Sequence, residues 1–197
     1  MDTKFSVVAA VRVAMMAAAT QAAAIRVRNS SITCKPACSA CCKRFLLISL
    51  AEAAVLVDFL KRHKKWDRVA EVSRHQQSMA MSIKPMAWFK IGLPCPILNQ
   101  DLCDAYLVRP STCSAHHVTS PPEACSPLST SFSSYVPHEL TDVHVDFMRS
   151  FAAAVCSGST LRARAPMPVA LILAERMSID PGSDFDGLVA TLVREFR

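Results

Sequence analysis

The sequence predicts a mostly α fold: helices around an irregular, cysteine-rich centre, with few or no short strands. Three observations carry this. Long stretches at both flanks have helix-forming composition or helical apolar spacing. The middle is broken by proline, serine and threonine. Eight of the nine cysteines of the 197-residue chain fall in that middle, between positions 34 and 125.

Residues 1–29 read as an Ala-, Val- and Met-rich helix ending near Arg26–Asn29. Arg12 interrupts its apolar stretch, and the longest uncharged run, Val13–Ile25, falls short of the roughly 20 residues a spanning helix needs. The preferred reading is a helix packed on the domain, with no transmembrane segment. A cleaved secretory signal and a membrane-surface helix are the weaker readings. On the preferred reading the protein is cytoplasmic, and its cysteines remain thiols able to bind metal.

The Ser/Cys/Pro-rich loop 30–44 follows, then the brief apolar run Phe45–Ile48, suited to a short strand. Ser49 and Glu52 form an S-x-x-E capping box, behind which Ala53 to Leu60 predict a helix through Lys65. A second helix covers Trp66 to about Ile83 and stops ahead of Pro85. Residues 85–113 read as irregular, and 111–134, dominated by Ser, Thr and Pro, as a loop. Helices return over Glu139–Val155, with Gly158 placed to end the first, over Pro168–Met177 and over Ser183–Phe196. The organisation is therefore a helix at 1–29, a cysteine-cluster domain at 30–126 and a helical extension at 127–197 packed on it.

Composition narrows the chemistry. Four glycines, with no G-x-G-x-x-G and no P-loop pattern, remove the usual nucleotide cradles. The net charge is +6, split as +10 over residues 1–94 and −4 over the rest. The basic run Lys61, Arg62, Lys64 and Lys65 closes a predicted helix, where cations offset the negative end of the dipole. A nucleic-acid surface is possible there but not favoured, because no recognised nucleic-acid motif accompanies it.

Sulfur is the distinctive element. The first group runs Cys34-x3-Cys38-x2-Cys41-Cys42; the second is Cys95, Cys103 and Cys113, with Cys125 as a looser fourth. Thiolates are strong soft ligands for zinc and iron–sulfur clusters, and one zinc or one cubane takes about four of them. Adjacent Cys41 and Cys42 are harder to place on one ion, because consecutive side chains tend to diverge; they suit a polynuclear centre or two neighbouring ions. A hairpin of the two intervening helices would bring the groups together. Cys156, in an Ala-rich helix, reads as a small core residue. His116 and His117 are candidate zinc ligands, although adjacent histidines in a polar loop read better as solvated. The nine methionines read as core filler. Nothing marks a catalytic pair; Asp184 and Asp186 sit at a helix start, where capping explains them.

The run Cys34–Cys42, the segment LLISLAEAAVLVDFL and the block LPCPILNQDLCDAYLVRPSTC together resemble the YkgJ-type cysteine-cluster family, a zinc- or iron-chelating domain. Cys95-Pro96-Ile97-Leu98 matches one element of its pattern. Cys103, Tyr106, Arg109, Pro110 and Cys113 match another at every fixed position, and Cys125 stands where the eighth cysteine falls. The resemblance covers about residues 30–126. It implies chelation of zinc or an iron–sulfur cluster by the eight cysteines, in a structural or accessory role. A redox enzyme or electron carrier is the alternative, and the sequence leaves open whether the protein is an enzyme. Some family members are part of flagellin lysine methylases, but no further methyl-donor site is visible here. There are two departures from the pattern. The first spacing is x3 rather than x2, which ranks Cys34 below the other three. Ser114 stands where the family often has Arg. Arg109 is suited to bracing loop carbonyls or a carboxylate, or to facing an anionic metal–thiolate centre. Tyr106 is expected to pack with its hydroxyl bonded, and Pro96 and Pro110 to fix loop geometry.

Overall fold

The computed structural model describes residues 3–35, 37–125, 136–155 and 159–179. Cys156, Gly158, Asp184, Asp186 and the helix expected over Ser183–Phe196 lie outside the described residues. What is described is mostly α, as expected: seven helices and four strands of two or three residues.

Helix α1 spans Thr3–Arg28 and ends with Arg26 and Arg28 in its last turn, against the negative end of its dipole. Val11, Met15, Ala18, Ala22 and Ile25 repeat at helical spacing and are buried, while Val13 and Val27 on other faces are exposed. Arg12 pairs with Asp58 of the next helix. By length and composition alone, Val7–Arg28 is apolar enough to cross a membrane. In this fold its apolar stripe packs against other helices.

Strand β1 is Leu47–Ser49, one residue shorter and slightly later than the apolar run suggested. It pairs antiparallel with β4, Arg164–Pro166, setting Leu47 opposite Pro166. Helix α2, Leu50–Arg62, starts on the expected capping box: Ser49 Oγ accepts the Glu52 N–H, and the Glu52 carboxylate accepts the Ser49 N–H. It is the central helix, with Leu50, Val55, Leu56, Val57 and Leu60 fully buried. It stops short of Lys65, with Lys64 in the left-handed region.

Three of the four residues of the basic run reach acidic partners, which they share with Arg12, Arg74 and Arg68. Arg62 pairs with Asp58, Lys61 reaches Glu175 at 4.0 Å, and Lys65 reaches Asp104 at 3.7 Å. Helix α3, Trp66–Ser82, ends ahead of Pro85 as expected.

The expectation of irregular chain after residue 85 needs correction. Helix α4 covers Pro85–Ile91, with Pro at its first position and Gly92 left-handed at its end. Both ends follow the usual asymmetry of helix termini. A hairpin of β2, Leu98–Asn99, and β3, Leu102–Cys103, follows. The expected loop from residue 111 begins instead with a one-turn helix, α5, Ser111–Ser114, and holds a short turn at Pro122–Cys125.

Helix α6, His138–Ala154, packs along α1 through Leu140, Val143, Phe147 and Phe151. Helix α7, Met167–Ile179, is buried over Met167–Ala174 and packs on α2 and α3. One hydrophobic core joins α1, α2, α3, α6 and α7. Methionine is a poorer core filler than expected: Met15 and Met167 are buried, but Met16, Met79, Met81, Met86 and Met148 are exposed.

Candidate metal centre

The first cysteine loop is held by its backbone. The Thr33 N–H donates to Val118 O at 2.9 Å, and Cys34 Sγ accepts the Val118 N–H at 3.3 Å. Ala37 is left-handed just before Cys38. A single 3-10 turn, Ala40–Lys43, presents Cys41 and Cys42.

The α2–α3 hairpin brings the second group alongside, as the sequence suggested. The Cys95 N–H donates to Cys42 O at 2.6 Å, joining the two groups directly. Ser39 Oγ meets Asp101 Oδ1 at 2.7 Å across the rim. Gln100 and Asp101, both left-handed, form the tip of the β2–β3 hairpin.

Two residues that the sequence does not mark as part of the site set the second group in place. Arg68 of α3 donates to the carbonyls of Pro96, Ile97 and Leu98 and to Asp104, bracketing the stretch between Cys95 and Cys103. Glu52 does more than cap α2. Its Oε1 accepts from Ser111 N and Ser111 Oγ at 3.2 and 3.3 Å, fixing the turn that carries Cys113. The signal for Arg68 in the sequence was weak. It is a partly buried residue beside the buried Val69 and Ala70, and only the fold shows what it faces.

All eight cysteines, Cys34, Cys38, Cys41, Cys42, Cys95, Cys103, Cys113 and Cys125, line one cavity of about 830 Å³. All eight are free thiols. Burial dominates the rise in proton affinity at Cys34, Cys95, Cys103, Cys113 and Cys125, with Cys95 pushed up to about 12. Charged neighbouring cysteines push the same way: Cys113 feels Cys95, Cys41 and Cys103. Cys41 moves oppositely, to about 7, because the Cys42 S–H donates to it and Arg44 and Arg109 face it; Cys42 rises in consequence.

The polar partners differ from expectation. His117 is buried, not solvated, and His116 is half-buried. His116 Nε2 faces Arg44 at 2.9 Å and His117 Nε2 faces Arg109 at 3.3 Å. A guanidinium only donates, so both imidazoles accept there and are neutral. Burial, then the adjacent arginines, holds both near 4.

Among the described residues, Arg109 bonds neither a loop carbonyl nor a carboxylate. It donates to Ser114 Oγ at 3.3 Å and lies 4.2 Å over the Tyr106 ring. Ser114, where the family often has Arg, is thus the buried acceptor of Arg109. Tyr106 packs against Arg109 with its hydroxyl bonded, at the surface rather than in the core. It is exposed and serves as a cation–π platform, its hydroxyl 3.5 Å from Arg26. Pro96 and Pro110 are buried beside the cysteines they follow or precede.

The donor set suits a soft metal. Eight unpaired sulfurs share one cavity, and two guanidiniums stand by to offset thiolate charge. Among the described residues, no three His, Cys, Asp or Glu side chains already converge as a ready ligand set. The cysteines surround the space without meeting at a point.

Helices enclosing a loop-borne ring of thiols define a cysteine-cluster protein of the metal-binding class. A family model, CxxCxxCC, described as a putative zinc- or iron-chelating domain, matches residues 33–134, and the chain belongs to that family. No curated protein and no solved structure matches the chain.

Proposed function

We propose that the two cysteine groups act as one centre. In it Cys34, Cys38, Cys41 and Cys42 would work with Cys95, Cys103, Cys113 and Cys125 to hold zinc or an iron–sulfur cluster in a structural or accessory role. The observation that carries the proposal is the shared cavity: eight free thiols from two stretches with 52 residues between Cys42 and Cys95, tied by the bond from Cys95 N–H to Cys42 O. Cys41, whose proton affinity is lowered by the Cys42 S–H and by Arg44 and Arg109, is the natural first captor of an ion. The other thiols give up protons as metal arrives, so affinity rises with pH. Four thiolates on one Zn²⁺ carry a net −2, which Arg44 and Arg109 offset. A structural zinc site of this kind contributes on the order of 10 kcal/mol to folding in small zinc-finger peptides. The proposal goes with a reducing compartment such as the cytosol.

The second reading is an iron–sulfur centre that cycles between redox states. It is favoured by the apolar part of the same wall, where Phe45, Trp88, Phe89, Ile97 and Leu98 border the thiols. Such surroundings limit water access and tune a cluster's potential.

Anaerobic purification followed by metal analysis and optical spectroscopy tests both. Colourless protein with stoichiometric zinc supports the first reading. Brown protein bleached by dithionite supports the second. Folded, metal-free protein with eight titratable cavity thiols that takes up neither zinc nor iron removes both.

A further inference from the structure

One wall of the thiol cavity comes from outside the matched family residues. Met167 opens α7, well past residue 134. Its N–H donates to Leu46 O at 2.9 Å, and the β1–β4 pairing seats the preceding Pro166 opposite Leu47. Backbone bonds therefore fix where its side chain begins. That residue is 4% exposed, lines the cavity, and puts Sδ 3.3 Å from Cys95 Sγ.

In this contact the Cys95 S–H donates and the thioether is a weak acceptor. A metal-bound Cys95 is a thiolate and has no S–H to give. Two sulfurs with facing lone pairs then need a cation between them. Two sulfurs on one tetrahedral ion, each about 2.3 Å from it, lie about 3.8 Å apart. The pair observed here needs to open by only about half an ångström to share an ion. Core filling accounts for an apolar side chain at this position but does not call for sulfur aligned on sulfur.

We propose that Met167 is a sulfur donor to the centre, and that the Cys95–Met167 pair gives the cavity an end selective for a soft monovalent ion, Cu(I). The inference rests on the chelating reading of the cysteines and names the metal class of one part of that site. Zinc draws thiolate, imidazole and carboxylate, whereas a neutral thioether suits a softer ion. A thioether in place of a thiolate makes the Cu(I)–sulfur unit one charge less negative. A smaller charge suits a cavity whose lining includes Trp88, Ile97 and Pro168, beside which a net charge is costly. Binding moves the Cys95 proton to solvent and transfers no electrons.

The test uses the full chain, prepared anaerobically and free of metal. Cu(I) is titrated against bathocuproine disulfonate and Zn²⁺ against a chromophoric zinc chelator, in the wild type and in Met167→Leu, which conserves volume. Methyl-¹³C methionine NMR follows the same titrations. We expect Met167→Leu to lower Cu(I) affinity about tenfold, the lower end of what a perturbed metal site loses, and to leave Zn²⁺ affinity within about twofold. In the wild type, one methyl signal, absent from the variant, moves on Cu(I) loading. Unchanged Cu(I) affinity with an unmoved methyl overturns the inference while leaving zinc chelation standing. If the wild type takes up neither ion, the chelating reading fails and the inference falls with it. Should the variant fold poorly, the wild-type methyl signal decides alone: movement supports the donor role, and stasis overturns it.

Discussion

Replacing Glu52 by Gln tests whether one carboxylate couples the core helix to a metal-bearing turn. Four donors converge on Glu52: Ser49 N at 3.0 Å, Ser49 Oγ at 2.8 Å, Ser111 N at 3.2 Å and Ser111 Oγ at 3.3 Å. The residue is buried. A glutamine offers one oxygen, and its amide NH₂ must face one of the two serines. The serine hydroxyl can turn and accept, but the backbone N–H cannot. One orphaned buried N–H costs about 1–3 kcal/mol, and the remaining pair loses its charge assistance, about 1 kcal/mol more. The expected loss is about 3 kcal/mol, a fall of about 6–12 °C in Tm for a chain this size. Thermal circular dichroism of the metal-free protein reads this. A double-mutant cycle with Ser111→Ala isolates the link to α5, with an expected coupling of about 1 kcal/mol or more. A melting point within 2 °C of wild type, or no coupling to Ser111, would refute the reasoning.

Four further outcomes are expected. Cys41→Ser and Cys113→Ser should each lower bound metal, measured by elemental analysis, and lower Tm; Cys156→Ser, outside the matched residues, should change neither. Arg68→Ala removes the donors to three carbonyls and Asp104, so it should lower Tm and weaken zinc binding by loosening Cys95 and Cys103, as competition with a chelator will show. Leu171→Ala, at a fully buried position of α7, should cost about 2–5 kcal/mol in urea unfolding. The pH profile of the metal-free protein follows from His116 and His117, depressed from 6.5 to about 4. Because the folded values lie below the unfolded one, their contribution is whole above pH 6.5 and is lost as pH falls towards 4. Melting points across that window should drop, and a His116→Gln/His117→Gln double variant should flatten the curve. Cys95 acts in the other direction: raised from 9.0 to about 12, it contributes below pH 9 and loses that contribution as pH climbs towards 12.

Local chemistry was legible in the chain wherever neighbours in sequence do the work. The Ser49–Glu52 box, the end of α3 ahead of Pro85 and the helical stripe of α1 depend on spacings of a few residues. Helix α4 depends on the same kind of signal, Pro85 before and Gly92 after. It escaped because seven residues with only Trp88 and Phe89 buried give too little periodicity to read. The meeting of the cysteine groups was foreseeable from the two helices between them. Their shared companions were not. Arg68, Glu52 toward Ser111, and Met167 acquire their roles from partners 28 to 72 positions away, at separations no spacing rule reaches. The histidines were misjudged for a related reason. A Ser/Thr/Pro-rich loop looks solvated until Arg44 and Arg109 fold over it.

The pairing of β1 with β4 has a consequence for how the protein is made. A ribosome that has released residue 125 has delivered every cavity thiol, yet the strand at Arg164–Pro166 and the helix behind it, which close one side, are still to come. During that interval the sulfurs stand in an open bowl, exposed to peroxide and to stray ions. The last wall to be made is thus the one that shields them.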